Sequence, residues 1–198
     1  MNFKTLAVAV AMAVTGGMAS AQSLNLNLSG GNPGGLWSLL GAGIDRAVKV
    51  DDPDSVVTYQ ATGGGFANLA LLGANRTDMG LVHDAEVQLA LAGAEPFSAP
   101  ITNLQAIGYM YNWAPMHFFL NRATAEQYGI DSLDDIATSG APLTIGINRS
   151  GNITSDVAVF MLAAAGLDEA TLEGNGGSFV RAGANEQGEL MQDGRIDM

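Results

Sequence analysis

Three short loops carry the residue types that can grip a small anion without reacting with it. Gly30–Gly35 (GGNPGG), Thr62–Gly65 (TGGG) and Asn148–Asn152 (NRSGN) each stand between a predicted strand and a predicted helix. A glycine-rich turn that opens a helix leaves backbone N–H groups free. The positive end of the helix adds its field, so such a turn attracts a carboxylate or a phosphate. The same glycines can also be no more than tight turns, and for any one loop both readings stand. Three loops at equivalent places shift the balance toward a site, because ligands of open parallel sheets lie outside the carboxyl ends of the strands. On that reading the amides of Gly34, Gly35, Gly63 and Gly64, with the hydroxyls of Thr62 and Ser150, hold carboxylate oxygens. Asn68, Asn152 and the peptide of Gly151 complete the polar set. Arg149 is the candidate ion-pair partner for a carboxylate; its alternative is a solvated surface arginine. Trp37 or Trp113 would cover the apolar body of the solute, and Phe66 and Tyr111 are further wall candidates or core residues.

Other chemistries find little support. The first loop reads GGNPGG rather than GxGxxG, and no Walker lysine follows either glycine loop. The chain has no cysteine, and its two histidines, His83 and His117, lie outside any HExxH spacing, so no metal site and no cofactor is expected. His83 is read as a histidine at the core edge or in the cleft. No GxSxG elbow, triad or carboxylate pair stands out, so no catalytic residue is assigned. His83-Asp84 are neighbours in sequence, which keeps open a secreted hydrolase or transferase built on them.

The 198 residues carry 8 basic and 20 acidic side chains, a net charge of −12, with 47% hydrophobic residues. That composition excludes a disordered chain. It also disfavours nucleic acid and anionic lipid as partners, since both demand a basic footprint. Residues 1–21 read as a secretory signal: Lys4, an apolar core from Leu6 to Val14, and Ala19-Ser20-Ala21 as the cleavage site. The apolar run is well short of the roughly 18 residues of a spanning helix. The mature chain is therefore expected in the periplasm, with no direct membrane insertion after cleavage.

The elements that position the loops follow from periodicity. Leu24–Leu28 alternates as a strand, and Leu36, Leu39, Leu40, Ile44 and Val48 recur at helical spacing. Val56–Tyr59 and Met79–Val82 read as strands, and Phe66–Leu72 and Ala85–Leu91 as helices. Leu104–Leu120 is expected to hold one or two strands, bent near Ala114-Pro115. Short helices over Ala123–Tyr128 and Leu133–Ala137, a strand over Leu143–Ile147, and a helix over Ser155–Ala165 with Ser155 as N-cap complete the pattern. Strands alternating with helices predict an α/β fold with mostly parallel sheets.

An internal echo suggests two similar lobes. The strand at Leu24 and its loop resemble the strand at Leu143 and its loop, and Asp78-Met79 resembles Asp197-Met198. Both matches have an offset of 119 residues. The expected organisation is a first lobe over 22–121 and a second over 122–198. The second is expected to be incomplete, the chain being a fragment cut inside it.

In order along the chain stand the signal peptide, the Gly-Gly loop before the first helix, Thr62-Gly63-Gly64 with Asn68-Leu69, and Asp78-Met79-Gly80-Leu81-Val82. Phe97, Ile107, Tyr111, Pro115, His117, Asp134-Asp135, Ser150-Gly151 and Asp193-Gly194-Arg195-Ile196-Asp197 follow. That series resembles the TAXI-type solute receptors, the extracytoplasmic binding subunits of a subclass of TRAP transporters. The resemblance implies a periplasmic-binding-protein-like fold of two lobes that close on a small anionic solute, glutamate-like or a dicarboxylate. It implies delivery of that solute to a TRAP-type integral membrane permease. Three departures bear on the ligand: Leu36-Trp37 where the family more often has tyrosine, Asn148-Arg149 in a usually proline- and glycine-rich loop, and no lysine in Thr138–Pro142. A receptor that hands its solute to a sensor kinase is the other non-enzymatic reading. Closure is expected to hinge near Asn121 and Ser139–Pro142.

Overall fold

Five-residue strands that pair in parallel require a crossover, and the chain supplies a helix for each. The computed structural model describes residues 23–198; the expected signal peptide lies outside the described residues. Strand β1 (Asn25–Ser29) leads through the first glycine loop into α1 (Leu36–Asp51), and β2 (Val56–Gln60) through the second into α2 (Gly65–Gly73). Strand β3 (Met79–Gly80) and α3 (Asp84–Ala92) follow. The sheet runs β2-β1-β3, all parallel, with Leu28 opposite Tyr59 on one side and Met79 on the other. Leu28, Val57, Phe66, Leu69 and Ala90 are buried between this sheet and its helices.

The second unit repeats the plan. Helices α4 (Arg122–Tyr128) and α5 (Leu133–Ser139) precede β4 (Thr144–Ile147), α6 (Ile153–Ala164), α7 (Glu169–Gly174), β5 (Ser178–Arg181) and α8 (Ala184–Gln192). Strands β4 and β5 pair in parallel, Ile145 opposite Phe179. On the free side of β4, Asp197 N donates to Thr144 O at 2.8 Å and Gly146 N to Met198 O at 2.6 Å. Asp197-Met198 therefore lies beside β4 as β3 lies beside β1, but two residues out of the register of a strict 119-residue offset: Asp78 N donates to Asn27 O, and Asp197 N to Thr144 O rather than Gly146 O. The larger core is here: Leu143, Ile145, Ile147, Leu162, Leu167 and Leu172 are each no more than 3% exposed. Burying each such side chain contributes about 1.5–3 kcal/mol. The α/β class with parallel sheets stands as expected.

Three expectations are corrected. Leu104–Leu120 forms no strand; the segment takes part in no ladder, and Ile107, Tyr109, Trp113 and Phe119 stand 70% or more exposed. β-rich residues become a strand only where another strand offers its backbone groups, and none of the described strands lies beside this segment. Helix α6 starts at Ile153 with Asn152 as N-cap, its side chain accepting from Thr154 N; Ser155 is fully buried and instead receives Arg181 Nη1 at 2.6 Å. Strand β5 and helix α7, unexpected from periodicity, follow from packing: Phe179 and Leu172 both pack in the second core.

Candidate functional site

The first loop is pinned from behind. Gly31 N donates to Tyr59 Oη at 2.7 Å, and Tyr59 Oη donates back to Gly31 O at 3.0 Å. Burial pushes the Tyr59 phenol above its ordinary value, and the Gly31 N–H works against that rise. The second loop is tied to the first through Gly30 O. Asn68, fully buried, donates from Nδ2 to Gly30 O at 3.0 Å and to Leu81 O at 2.7 Å. Thr62 Oγ1 lies against Gly30 O and 2.7 Å from Asn68 Oδ1, and accepts from Gly64 N at 3.1 Å. Thr62 and Asn68 thus spend their polar atoms on bracing the loops that follow β1, β2 and β3.

The third loop is organised within its own unit. Asn152 Oδ1 accepts from Thr154 N at 3.0 Å, and Asn148 Nδ2 donates to Thr154 Oγ1 at 3.0 Å. Arg149 Nη2 donates to Glu186 Oε2 at 2.8 Å, both side chains about half exposed. The Arg149 bond, with a second from Gly183 N, holds the Glu186 carboxyl below the usual carboxylate range. The structure gives Arg149 an internal partner near the start of α8.

The loops of the two units meet. Asn32 Nδ2 donates to Asn148 Oδ1 at 2.9 Å, and Asn185 Nδ2 donates to Gly34 O at 3.1 Å. Gly64, at φ 125°, lies so close to Asn152 that an added Cβ would be 3.0 Å from it; a Cβ on Gly183 would stand 3.2 Å from Asn32. Gly183 follows Gly64 by 119 residues and Asn152 follows Asn32 by 120. The junction is therefore reciprocal, each unit setting a glycine of one loop against an asparagine of the other. The peptide of Ser150 faces Gly63 across the junction, and Gly151 (φ 87°) completes the turn beside it.

Beside the first loop stands an aromatic wall. Trp37, 9% exposed, donates from Nε1 to Tyr111 Oη at 2.7 Å, and its ring centroid lies 4.9 Å from that of His83. The residue of the extended segment that joins this wall is Tyr111. Trp113 is 79% exposed, so the structure does not bring it in. The carboxylate at His83 is Glu86, not its sequence neighbour Asp84. His83 Nδ1 lies 3.1 Å from Glu86 Oε2, whereas Asp84 Oδ1 accepts from Ala85 N. A carboxylate only accepts, so the contact is a hydrogen bond in the tautomer that carries its hydrogen on Nδ1. The α3 geometry separates the two side chains, since adjacent helical residues do not face each other.

The loop ends and the aromatic wall offer polar groups and a ring face to a small molecule. Helix α1 opens at Gly35 with no side-chain cap and no acidic residue in its first turn, so its N-terminal field is uncompensated by the helix's own side chains. No group of three or more His, Asp or Glu able to hold a metal occurs among the described residues. A hollow of about 800 Å³ spans both units next to the junction, with Phe66, Leu89 and Phe97 on one side and Gly151, Ile153 and Asp156 on the other. Glu95 and Asp156 give its lining two acidic side chains, which disfavour an anion there. No helix among the described residues is long and apolar enough to cross a membrane.

Sequence reasoning missed Glu86, Asn32 and Asn185. Glu86 sits three residues after the helix-opening His83, the spacing of a capping box. The signal passed unread because histidine is not among the usual N-caps. The 119-residue offset, applied loop by loop, would have pointed to Gly183 and its neighbour Asn185.

Comparison with known proteins gives a family. Residues 28–198 match the sequence profile of the NMT1-like family. No curated protein matches the chain. Among solved structures, the alkanesulfonate-binding protein SsuA from Xanthomonas axonopodis pv. citri, bound to MOPS, is similar at 15% identity with a TM-score of 0.47. The alignment covers 90% of this chain and 54% of that one, so the chain spans about half the length of that relative.

Proposed function

The chain belongs to the NMT1-like family, and from that premise we propose that it is an extracytoplasmic solute receptor. It takes a small carboxylate between its two lobes and releases it unchanged to a TRAP-type membrane permease. The observation that carries this reading is the convergence of loops distant in sequence. Asn32 bonds Asn148 and Asn185 bonds Gly34 across the junction, while Trp37, Tyr111 and His83 stand beside it.

Gly35 N donates to Asn32 O at 3.3 Å, so the carboxylate would sit against the amides at the start of α1 that follow it, beside Gly34, with the apolar body along Trp37. The two asparagines would close over it from opposite lobes. The global charge of −12 does not forbid an anion, because long-range repulsion is screened beyond about 8 Å in physiological salt while amides act at contact. The leader-like residues 1–21 support export, and the ordered motifs shared with TAXI-type receptors support the permease partner.

Calorimetry of the mature full-length protein with glutamate and short dicarboxylates tests the reading. Heat of binding with at least one of them is expected. Binding of neutral or cationic solutes alone would overturn it.

A further inference from the structure

Glu86 is the fully buried carboxylate of the described residues that bridges both units. It rises from the first turn of α3. Its Oε2 accepts from His83 N at 2.7 Å and faces His83 Nδ1 at 3.1 Å. Its Oε1 accepts from Ile153 N at 3.3 Å, the first residue of the 12-residue helix α6 in the other unit. The start of α2 leaves room for it: a Cβ on Gly65 would fall 1.6 Å from Oε2, so any larger residue there displaces the carboxylate. A negative group at a helix N-terminus is favoured by the helix field, and burying it away from water strengthens that attraction.

From this we infer that Glu86 is the chain's own anion at the second-lobe seat, a positioning residue that latches the lobes together through Ile153 and sets the His83 ring through the same carboxylate. Three consequences follow from one group. The N-terminus of α6 is filled from within, so a solute anion is left the α1 end of the junction. The hydrogen bond to Ile153 exists only while the lobes are together. The histidine beside Trp37 is held by a side chain whose second oxygen senses closure, which couples the aromatic wall to the lobe angle. The lobe contact itself does not depend on the solute-receptor reading; only its service to solute choice rests on it.

The test separates these. Ile153→Pro removes the one N–H that Glu86 takes from α6. Proline is tolerated at the first helical position, and Asn152, at φ −115° and ψ 124°, already has the backbone proline requires before it. Ile153→Ala is the control that keeps the N–H. In the full-length chain, labelled with a dye pair across the junction, Ile153→Pro should shift the open–closed equilibrium toward open by about tenfold relative to Ile153→Ala. Glu86→Ala should open the lobes as well, and added formate, a free carboxylate of the same chemistry, should restore the closed distance in Glu86→Ala but not in Ile153→Pro. Chloride at equal ionic strength should restore neither. Equal dye distances in Ile153→Pro and Ile153→Ala, or a formate response no greater in Glu86→Ala than in the unaltered chain, would overturn the latch. These readouts need no solute, so binding of neutral or cationic solutes alone would leave the latch standing while removing the anion-receptor reading.

Discussion

The side-chain amide of Asn32 donates to the Asn148 side-chain oxygen at 2.9 Å, joining loops 116 residues apart in sequence. Both residues stand after the first strand of their own unit, so the bond forms only when the units face each other. A double-mutant cycle with Asn32→Ala and Asn148→Ala, followed by thermal unfolding, should give a coupling energy of about 0.5–1.5 kcal/mol. Strict additivity of the two single effects would show that the bond does not hold the junction.

Tyr59→Phe removes the hydroxyl that serves both the N–H and the carbonyl of Gly31. Gly31 is buried, so its N–H is left without a partner, and the expected loss is about 1–3 kcal/mol. Denaturant unfolding measures it. A variant as stable as the parent would mean that water or a loop shift replaces the phenol at no cost.

Asp168 caps α7 by accepting from Thr171 N at 2.8 Å, and that interaction with Thr171 holds its carboxyl below the usual value. Hydrogen bonds likewise lower Asp45 through Lys49, Asp135 through Ser132 and Glu186 through Arg149. Folded values below the unfolded value of about 4 mean stability that is fully present above that pH and is lost as pH falls through the folded values. The melting temperature should therefore hold from neutrality to about pH 5 on account of these groups and drop below about pH 4. Asp168→Asn keeps a capping oxygen but cannot titrate. Its melting temperature should approach that of the parent as acid is added, and a gap that stays constant down to pH 3 would contradict this assignment.

Leu162 is 0% exposed at the centre of the second core, and Phe160, two residues earlier on the same helix, is 73% exposed. Leu162→Ala should cost about 2–5 kcal/mol, whereas Phe160→Ala should change stability by less than about 0.5 kcal/mol. Guanidinium titrations of the two variants provide the comparison, and a larger loss for Phe160→Ala would place a packing partner on that ring.

Local patterns carried most of the fold. Alternation in Leu24–Leu28 and the helical recurrence of Leu36, Leu39 and Leu40 anticipated β1 and α1, because each element's apolar face is written in its own few residues. Leu104–Leu120 misled for the converse reason: its Ile, Tyr, Trp and Phe have strand propensity, but pairing depends on a neighbour that propensity does not contain. Strand β5 was missed because Ser178–Arg181 is short and offers only Phe179 and Val180 as apolar marks. The loops of the candidate site were legible as glycine turns, and the structure brings Gly34, Gly64 and Asn152 to one junction. What a sequence cannot show is which polar atoms are spent internally. Thr62 and Asn68 look equally fit to bind a guest or to brace a turn until their partners, Gly30 O and Leu81 O, are seen.

The reciprocal seam has one further implication. Two halves that offer each other matching glycines and asparagines present a nearly even-handed grip, and such a grip gives an asymmetric guest no reason to prefer one direction over its reverse. The cluster of Trp37, Tyr111 and His83 belongs to one side only. It lies on the same side as the uncapped start of α1, whereas the start of α6 is already taken by Glu86, so for a guest in the proposed seat the rings and the open helix end select the same direction.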